Sequence, residues 1–472
     1  MSTFGVIVTT RGFFPGKLAE TARKQILEKL EKMGHESIIL PEQETRYGAI
    51  ESHEDSKKLA KLFSDNRDKI QGIIVILPNF GDEIAVVTAI ENAHLNVPVL
   101  VQACDDDLDE NGKLGLDNRR DAFCGKISVC NNLRQSNIKF TDTTYHTCAI
   151  SSDAFTKDIK NFDKICRVVK GVREARLGAI GARPNAFRTV RFSEKLLQSS
   201  GITTQVVDMS EIIASAKNMS DTQKVAERIS ELKKYGNIPS YIKEDKIEKQ
   251  ARIGLAMEKW LEENACVASA VACWSSVQEN YGCAVCGSMS YMGEHGMPSA
   301  CEMDVVGALS MYALFLASGE PSGYLDWNNN YMDDRNKCIN THCSSFPKSF
   351  IGRDFEMSNL DVLGKSLGPE NCFGACKANV AAGPMTYAKI DTDDASGKIR
   401  AYIGEGEFTN DPAGLDGGIA VCKIPELQDL LKFICKEGFE HHVAMSRSLC
   451  ADVLEEAFSN YLGWDVYRHG DR

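Results

Sequence analysis

Four short stretches in the C-terminal half gather the side chains best suited to chemistry: 300–304 with Glu302, 324–330 with Asp326, 341–343 with His342, and 439–443 with His441 and His442. All four are set in apolar or glycine-rich sequence. A carboxylate or imidazole in such a setting is costly unless something pairs it, and a divalent cation is the usual partner. A metal enzyme is therefore the first expectation.

Glu302 precedes a segment, 304–317, in which Val305, Leu309, Tyr312 and Leu316 recur at helical spacing, so it is expected at or just before a helix N-terminus. A carboxylate there also favours the helix dipole, which would account for Glu302 by itself. It would not account for Asp326, expected at a strand end opening into a polar loop whose three asparagines cap a turn. His441 and His442 are adjacent, so on an extended segment they point to opposite faces and only one is expected to enter a given site. Trp274, Gln278, Trp327 and Asn328 are candidate walls for a substrate, although aromatic packing suits the tryptophans equally well.

The elements that must position these groups follow from the hydrophobic pattern. Residues 4–10, 36–40, 71–77 and 97–101 read as strands, with a helical pattern over 16–34, the rhythm of a parallel α/β sheet. A second such unit begins near residue 174. Its strands are read at 175–181 and 203–208 and its helices at 192–199, 210–234 and 247–265, leading into an apolar stretch at 267–275. Beyond about residue 350 the alternating runs 385–390, 398–403 and 418–422 suggest antiparallel strands, and 449–462 reads as helix. The expected fold is α/β, with two Rossmann-like open parallel-sheet domains at 1–170 and 171–350 and a β-rich domain at 351–472. Ligands of open α/β sheets bind at the carboxyl ends of the strands.

Composition narrows the partners. A net charge of −12 without a lysine or arginine block argues against nucleic acid, which needs clustered cations, and favours a small solute. The first residues read as a strand and not as a signal peptide, so the 17 cysteines are expected to be reduced in a cytoplasmic protein. No apolar run approaches the ~18 residues of a membrane span. Cys283 with Cys286 and Cys372 with Cys376 have spacings that zinc could use, but they lie far apart and read better as small apolar groups. The glycine pairs at 178–181 and 404–406 lack dinucleotide or P-loop spacing and read as turns.

Residues 301–311 (CEMDVVGALSM), 326–330 (DWNNN), His342 with Cys343, and 438–442 (GFEHH) resemble the L-fucose isomerase/L-arabinose isomerase family, in its shorter fucose-isomerase-like branch. The segments 10–15 (TRGFFP), 181–185 (GARPN) and 463–465 (GWD) also fit, so the resemblance covers most of the chain. It implies a three-domain subunit in a homo-oligomer, a hexamer or trimer-based form, and interconversion of aldose and ketose with a divalent metal, typically Mn2+. By the same resemblance Glu302 and Asp326 are the acidic metal ligands that also transfer protons. His442 or His441 is the C-terminal histidine ligand, with His442 favoured, and His342 matches a histidine used by the arabinose branch. Arg11 would reach the sugar in a neighbouring subunit's site, so that the site lies near a subunit interface.

Isomerising an open-chain aldose removes a proton from C2 and returns one to C1 through a cis-enediolate. A metal is a suitable Lewis acid for its oxygens, and each positioned acid or base contributes roughly 10²–10⁴-fold. Arg183, Arg188 and Arg191 form a basic cluster suited to a phosphate or sulfonate. An anionic sugar such as sulfoquinovose thus stands beside neutral fucose or arabinose. The alternatives are a catalytically inactive sugar-binding or regulatory protein of the same fold, and a structural protein held by cysteine-bound zinc.

Overall fold

Parallel strands buried on both faces read as unbroken apolar runs. Five parallel strands, the central ones of this kind, are described here from a computed structural model covering residues 2–414 and 417–470 and build the first unit. They are β1 (Thr3–Val8), β2 (Glu36–Ile38), β3 (Ile70–Leu77), β4 (Val99–Ala103) and β5 (Thr141–Asp142), in the order β2-β1-β3-β4-β5. Ile73, Val75 and Leu77 join one apolar cluster and Ile74 and Ile76 another, as the two-residue period of a strand requires. The unit runs to Lys170 and takes in Asn460–Leu462. That last piece is pinned by Tyr461, whose hydroxyl lies 2.8 Å from Thr141 Oγ1, and by Asn460, which donates to the Phe140 carbonyl.

The second unit holds Gly171–Ser459 and the residues from Gly463 onward, and contains two sheets. Four parallel strands, β6 (Arg176–Ile180), β7 (Thr203–Val207), β8 (Ala268–Val271) and β9 (Ser299–Cys301), lie in the order β7-β6-β8-β9. The region read as one helix over 210–234 is two, Met209–Lys217 and Thr222–Tyr235. Asp221 starts the second by accepting from the Lys224 amide at 3.0 Å, a local bond that competes with helix continuation.

The remaining strands are β10 (Gly323–Tyr331), β11 (Asp334–His342), β12 (Glu356–Asn359), β13 (Phe373–Asn379), β14 (Gly383–Asp393), β15 (Lys398–Phe408), β16 (Gly418–Lys423), β17 (His442–Ser446) and β18 (Asp465–Arg468). They form one mixed sheet in the order β12-β13-β16-β11-β10-β17-β14-β15-β18. An additional pairing of β15 with β16 closes the run from β16 to β15 into a six-stranded antiparallel barrel. Closure leaves those six strands no free edge between them. Leu325, Tyr387, Tyr402, Phe408, Val443 and Met445 belong to its apolar core.

This sheet already includes β10 and β11, residues that the sequence assigns to the second α/β domain. The asparagines expected in a turn are instead in strand β10. Asn328 Oδ1 accepts from both the backbone amide and the hydroxyl of Thr341, each at 2.9 Å, and the chain reverses only at residues 332–333. Among the described residues no helix is long and apolar enough to cross a membrane.

The helix Val305–Ser318 joins the two sheets of this unit. Asp304 caps it by accepting from the Gly307 amide at 2.7 Å, and Gly319 ends it at φ 78°. Gly307 packs against the Tyr324 ring, and a Cβ there would meet the Tyr324 hydroxyl well inside van der Waals contact. Gly307→Ala is expected to lower stability by about 1–3 kcal/mol through this overpacking, measured by urea denaturation.

Candidate metal centre

Glu302 leaves the carboxyl end of β9, where an open parallel sheet presents its ligands. Glu302 and Met303 both occupy the left-handed region, at φ 61° and 63°. Such conformations cost about 1–3 kcal/mol each and persist where the surroundings hold them. Here the Met303 amide donates to Val271 at 3.3 Å and the Asp304 amide to Cys301 at 3.1 Å. The turn delivers a carboxylate that is only 6% exposed, and Trp274 Nε1 donates to its Oε1 at 3.1 Å.

Asp326 and His442 are cross-strand partners on β10 and β17, while their neighbours Leu325 and Val443 pair on the opposite face, in the barrel core. This register aims His442 Nε2 at both acids, 3.2 Å from Glu302 Oε2 and 3.6 Å from Asp326 Oδ1. His342, at the end of β11, places Nδ1 3.0 Å from the same Asp326 oxygen. Its Nε2 is buried without a hydrogen-bond partner. His441 lies just ahead of β17 and is exposed, yet it joins Glu302 and His442 in a set of ligand atoms all within 4.8 Å of one another. Both tandem histidines thus approach the acids, because His441 precedes the strand and escapes its alternation.

An orphaned imidazole nitrogen beside two carboxylates and a second imidazole is a donor set that fits a divalent cation. Asp326, His342 and His442 satisfy the same 4.8 Å condition. The histidines and the acids offset one another's charge. Burial disfavours charge on His342, but the Asp326 carboxylate outweighs it and holds the ring protonated up to about 10. Burial likewise opposes ionisation of Glu302 and Asp326, and the imidazoles bring both below the ordinary carboxylate range.

Behind Glu302, Asp326 and His442 lies a layer that the sequence does not single out. Asp304 Oδ2 is 3.0 Å from His442 Nδ1 and accepts from Lys389 Nζ at 2.7 Å and from the Tyr324 hydroxyl. Lys389 is fully buried and also lies 3.2 Å from Glu440 Oε2. Burial would raise Asp304, but Lys389 and His442 hold it well below the usual carboxylate range. Burial pushes Glu440 up to about 8, against the pull of Lys389. Two signals were available in the sequence: Asp304 two residues after Glu302, and a lone lysine inside the apolar run 385–390.

The other candidates have more structural surroundings. Gln278 is buried, and its amide donates to the Cys273 carbonyl at 2.9 Å, beside Trp274. Trp327 Nε1 donates to the Tyr402 hydroxyl at 2.9 Å, and Asn328 clips β10 to β11. Arg183 is half-buried and donates to the Pro184 carbonyl. Arg11, in the first unit, covers the Phe80 ring at 4.5 Å and is paired with Glu83. Cys286 and Cys372 pack into an apolar cluster, and burial pushes the Cys283 and Cys376 thiols up to about 12.

Residues 5–173 match the family described as fucose/sulfoquinovose isomerase, N-terminal domain, and residues 340–469 match L-fucose isomerase, C-terminal domain. The chain belongs to this isomerase family. Its C-terminal match includes all three histidines of the centre, whereas Glu302 and Asp326 lie between the two matched segments. The chain is similar to the sulfoquinovose isomerase of Alkalicoccus urumqiensis, at 25% identity over 62% of this chain and 64% of that protein. It is also similar to sulfoquinovose isomerases of Priestia aryabhattai, at 23% identity over 71% of each chain, and of a Clostridium species, at 24% over 76% and 77%.

Two outcomes follow for the centre. A histidine must be neutral to bind metal, and although burial opposes charge on His442, Asp304 and Glu302 hold it protonated above the ordinary imidazole range, so cation binding releases a proton and strengthens as pH rises. Calorimetry in buffers of different ionisation enthalpy should show an affinity gain of about tenfold per pH unit for each proton released. Asp304→Asn, which removes the charge oriented at His442 Nδ1, should weaken cation affinity about 10–100-fold, read by equilibrium dialysis.

Proposed function

We propose that the protein is a metal-dependent aldose–ketose isomerase acting on an open-chain sugar that carries an anionic substituent. The observation that supports the chemistry best is the convergence of Glu302 and Asp326 on one nitrogen, His442 Nε2, at 3.2 and 3.6 Å. Two carboxylates so arranged are suited to take the C2 proton and to return a proton at C1. Glu302, Asp326 and His442 would hold the cation, with His342 and His441 at its margin. When bound, the metal, for which Mn2+ is the first choice, supplies Lewis acidity toward the charge that builds on O1 and O2 of the enediolate. Trp274 keeps the Glu302 carboxylate in place through its indole N–H. The Lys389–Asp304 pair fixes the His442 ring from behind.

The anionic substituent is supported by a cavity of about 740 Å³ next to the Glu302 turn, whose lining includes Met303 and the arginines Arg183, Arg188 and Arg191, along with Asp393 and Asp394. Arg400 also lines it but is committed to Asp391, at 2.8 Å. Arg183 and Arg191 donate to backbone carbonyls, which leaves their charge for a ligand. The names of the relatives agree with a sulfonated sugar. Homo-oligomeric assembly, which the family resemblance implies, belongs to the same reading.

The test is metal-dependent conversion in D2O, followed by NMR with sulfoquinovose, fucose and arabinose. Ketose formation with deuterium entering at C1 of the ketose, and at C2 of the aldose through the reverse reaction, is expected from sulfoquinovose, and Glu302→Gln should abolish both. Arg183→Ala should raise KM for the sulfonated sugar about tenfold, the scale of one charge-assisted hydrogen bond, with kcat held. Full activity in Glu302→Gln would sink the mechanism, and a neutral sugar as the better substrate would sink the anionic reading.

A further inference from the structure

Glu302 also faces a thiol, Cys343, that the proposed isomerisation does not use. Cys343 follows His342 at the end of β11, and one ligand atom each of Glu302, His342 and Cys343 lie within 4.8 Å of one another. Cys343 is part of a thiol cluster with Cys273, beyond β8, and Cys301. Cys301 Sγ in turn lies 3.6 Å from Ser345 Oγ. His342 Nδ1 is engaged by Asp326, but its Nε2 is buried with no hydrogen-bond partner. An unpaired buried nitrogen is costly, and an apolar thiol cluster offers it only weak hydrogen-bond partners.

The donor types separate this set from its neighbour. Glu302, Asp326 and His442 offer oxygens and a nitrogen, the preference of a hard ion. Replacing Asp326 and His442 by sulfur turns the preference toward softer ions, since thiolate selects zinc-like metals over manganese or magnesium. We propose that Glu302, His342 and Cys343, backed by Cys273, form a thiolate site for a soft divalent cation of the zinc and cadmium class. On binding, the Cys343 S–H bond breaks, the sulfur lone pair forms the bond to the cation, and the proton leaves to solvent, with no change of oxidation state. Glu302 cannot serve both sets, so a soft cation withdraws one of the two acids from the proposed isomerase centre. Binding itself does not depend on that activity.

The test uses full-length protein under reducing conditions, stripped of metal and titrated with Cd2+ alone. The background is Cys124→Ser with Cys435→Ser, which removes the exposed thiols. A thiolate-to-cadmium charge-transfer band that saturates as a single site, and that Mn2+ does not produce, is expected, and Cys343→Ser should lose it. Cadmium-113 NMR of the Cys343-containing protein reads sulfur ligation directly, so the question stays answerable if Cys343→Ser fails to fold. Absence of the band, or its persistence in Cys343→Ser, overturns the site. Neither readout involves sugar or turnover, so failure here leaves the isomerase reading standing, and loss of that reading leaves this one standing.

Discussion

Asp304 is wholly buried among Lys389, Tyr324 and His442, and its negative charge is the constraint on which the centre depends. A carboxylate so far from water is tolerable only when paired, and removing one partner of such a pair costs several kcal/mol. Lys389 provides the pairing, and Asp304 passes the consequence outward by engaging His442 Nδ1. The imidazole is left with Nε2 toward Glu302 and Asp326. The same aspartate caps the helix that follows, so helix position and histidine orientation are set by one side chain.

Two sheets contribute unlike parts to this arrangement. The parallel sheet ends in a strained turn at Glu302 and Met303, as open α/β sheets do where they present ligands. The barrel contributes rigidity, because Asp326 and His442 sit opposite each other in a ladder whose other face is packed with apolar side chains. A one-residue slip between β10 and β17 would exchange His442 for the core and Val443 for the site. The apolar core therefore specifies the register that the chemistry needs.

The proposed isomerisation and the arginine-lined cavity share the Glu302 turn, since Met303 lines that cavity. A substituent held by Arg183 would anchor the sugar at a point away from the reacting carbons, and binding energy there serves orientation at C1 and C2. The thiols of Cys301 and Cys343 adjoin Glu302 and are poor partners for a hard ion. The site is thus bounded by different donor chemistries.

The sequence alone carried the class of fold, because period and run length distinguish buried parallel strands from antiparallel ones without knowledge of contacts. It also singled out Glu302, Asp326 and His442, which the fold brings together, since polar groups in apolar sequence stand out and a family resemblance attached expected roles to them. What it did not carry depends on pairing across long separations. Asn328 read as a turn residue because its partner, Thr341, lies on another strand. Lys389 sat unremarked in an apolar run because its partner, Asp304, is 85 residues away in the chain. The length of β10, the closure of β15 on β16 and the side to which each histidine turns are long-range hydrogen bonds and packing choices. Local composition sets which groups need a partner, and only the tertiary structure decides which partner each one finds.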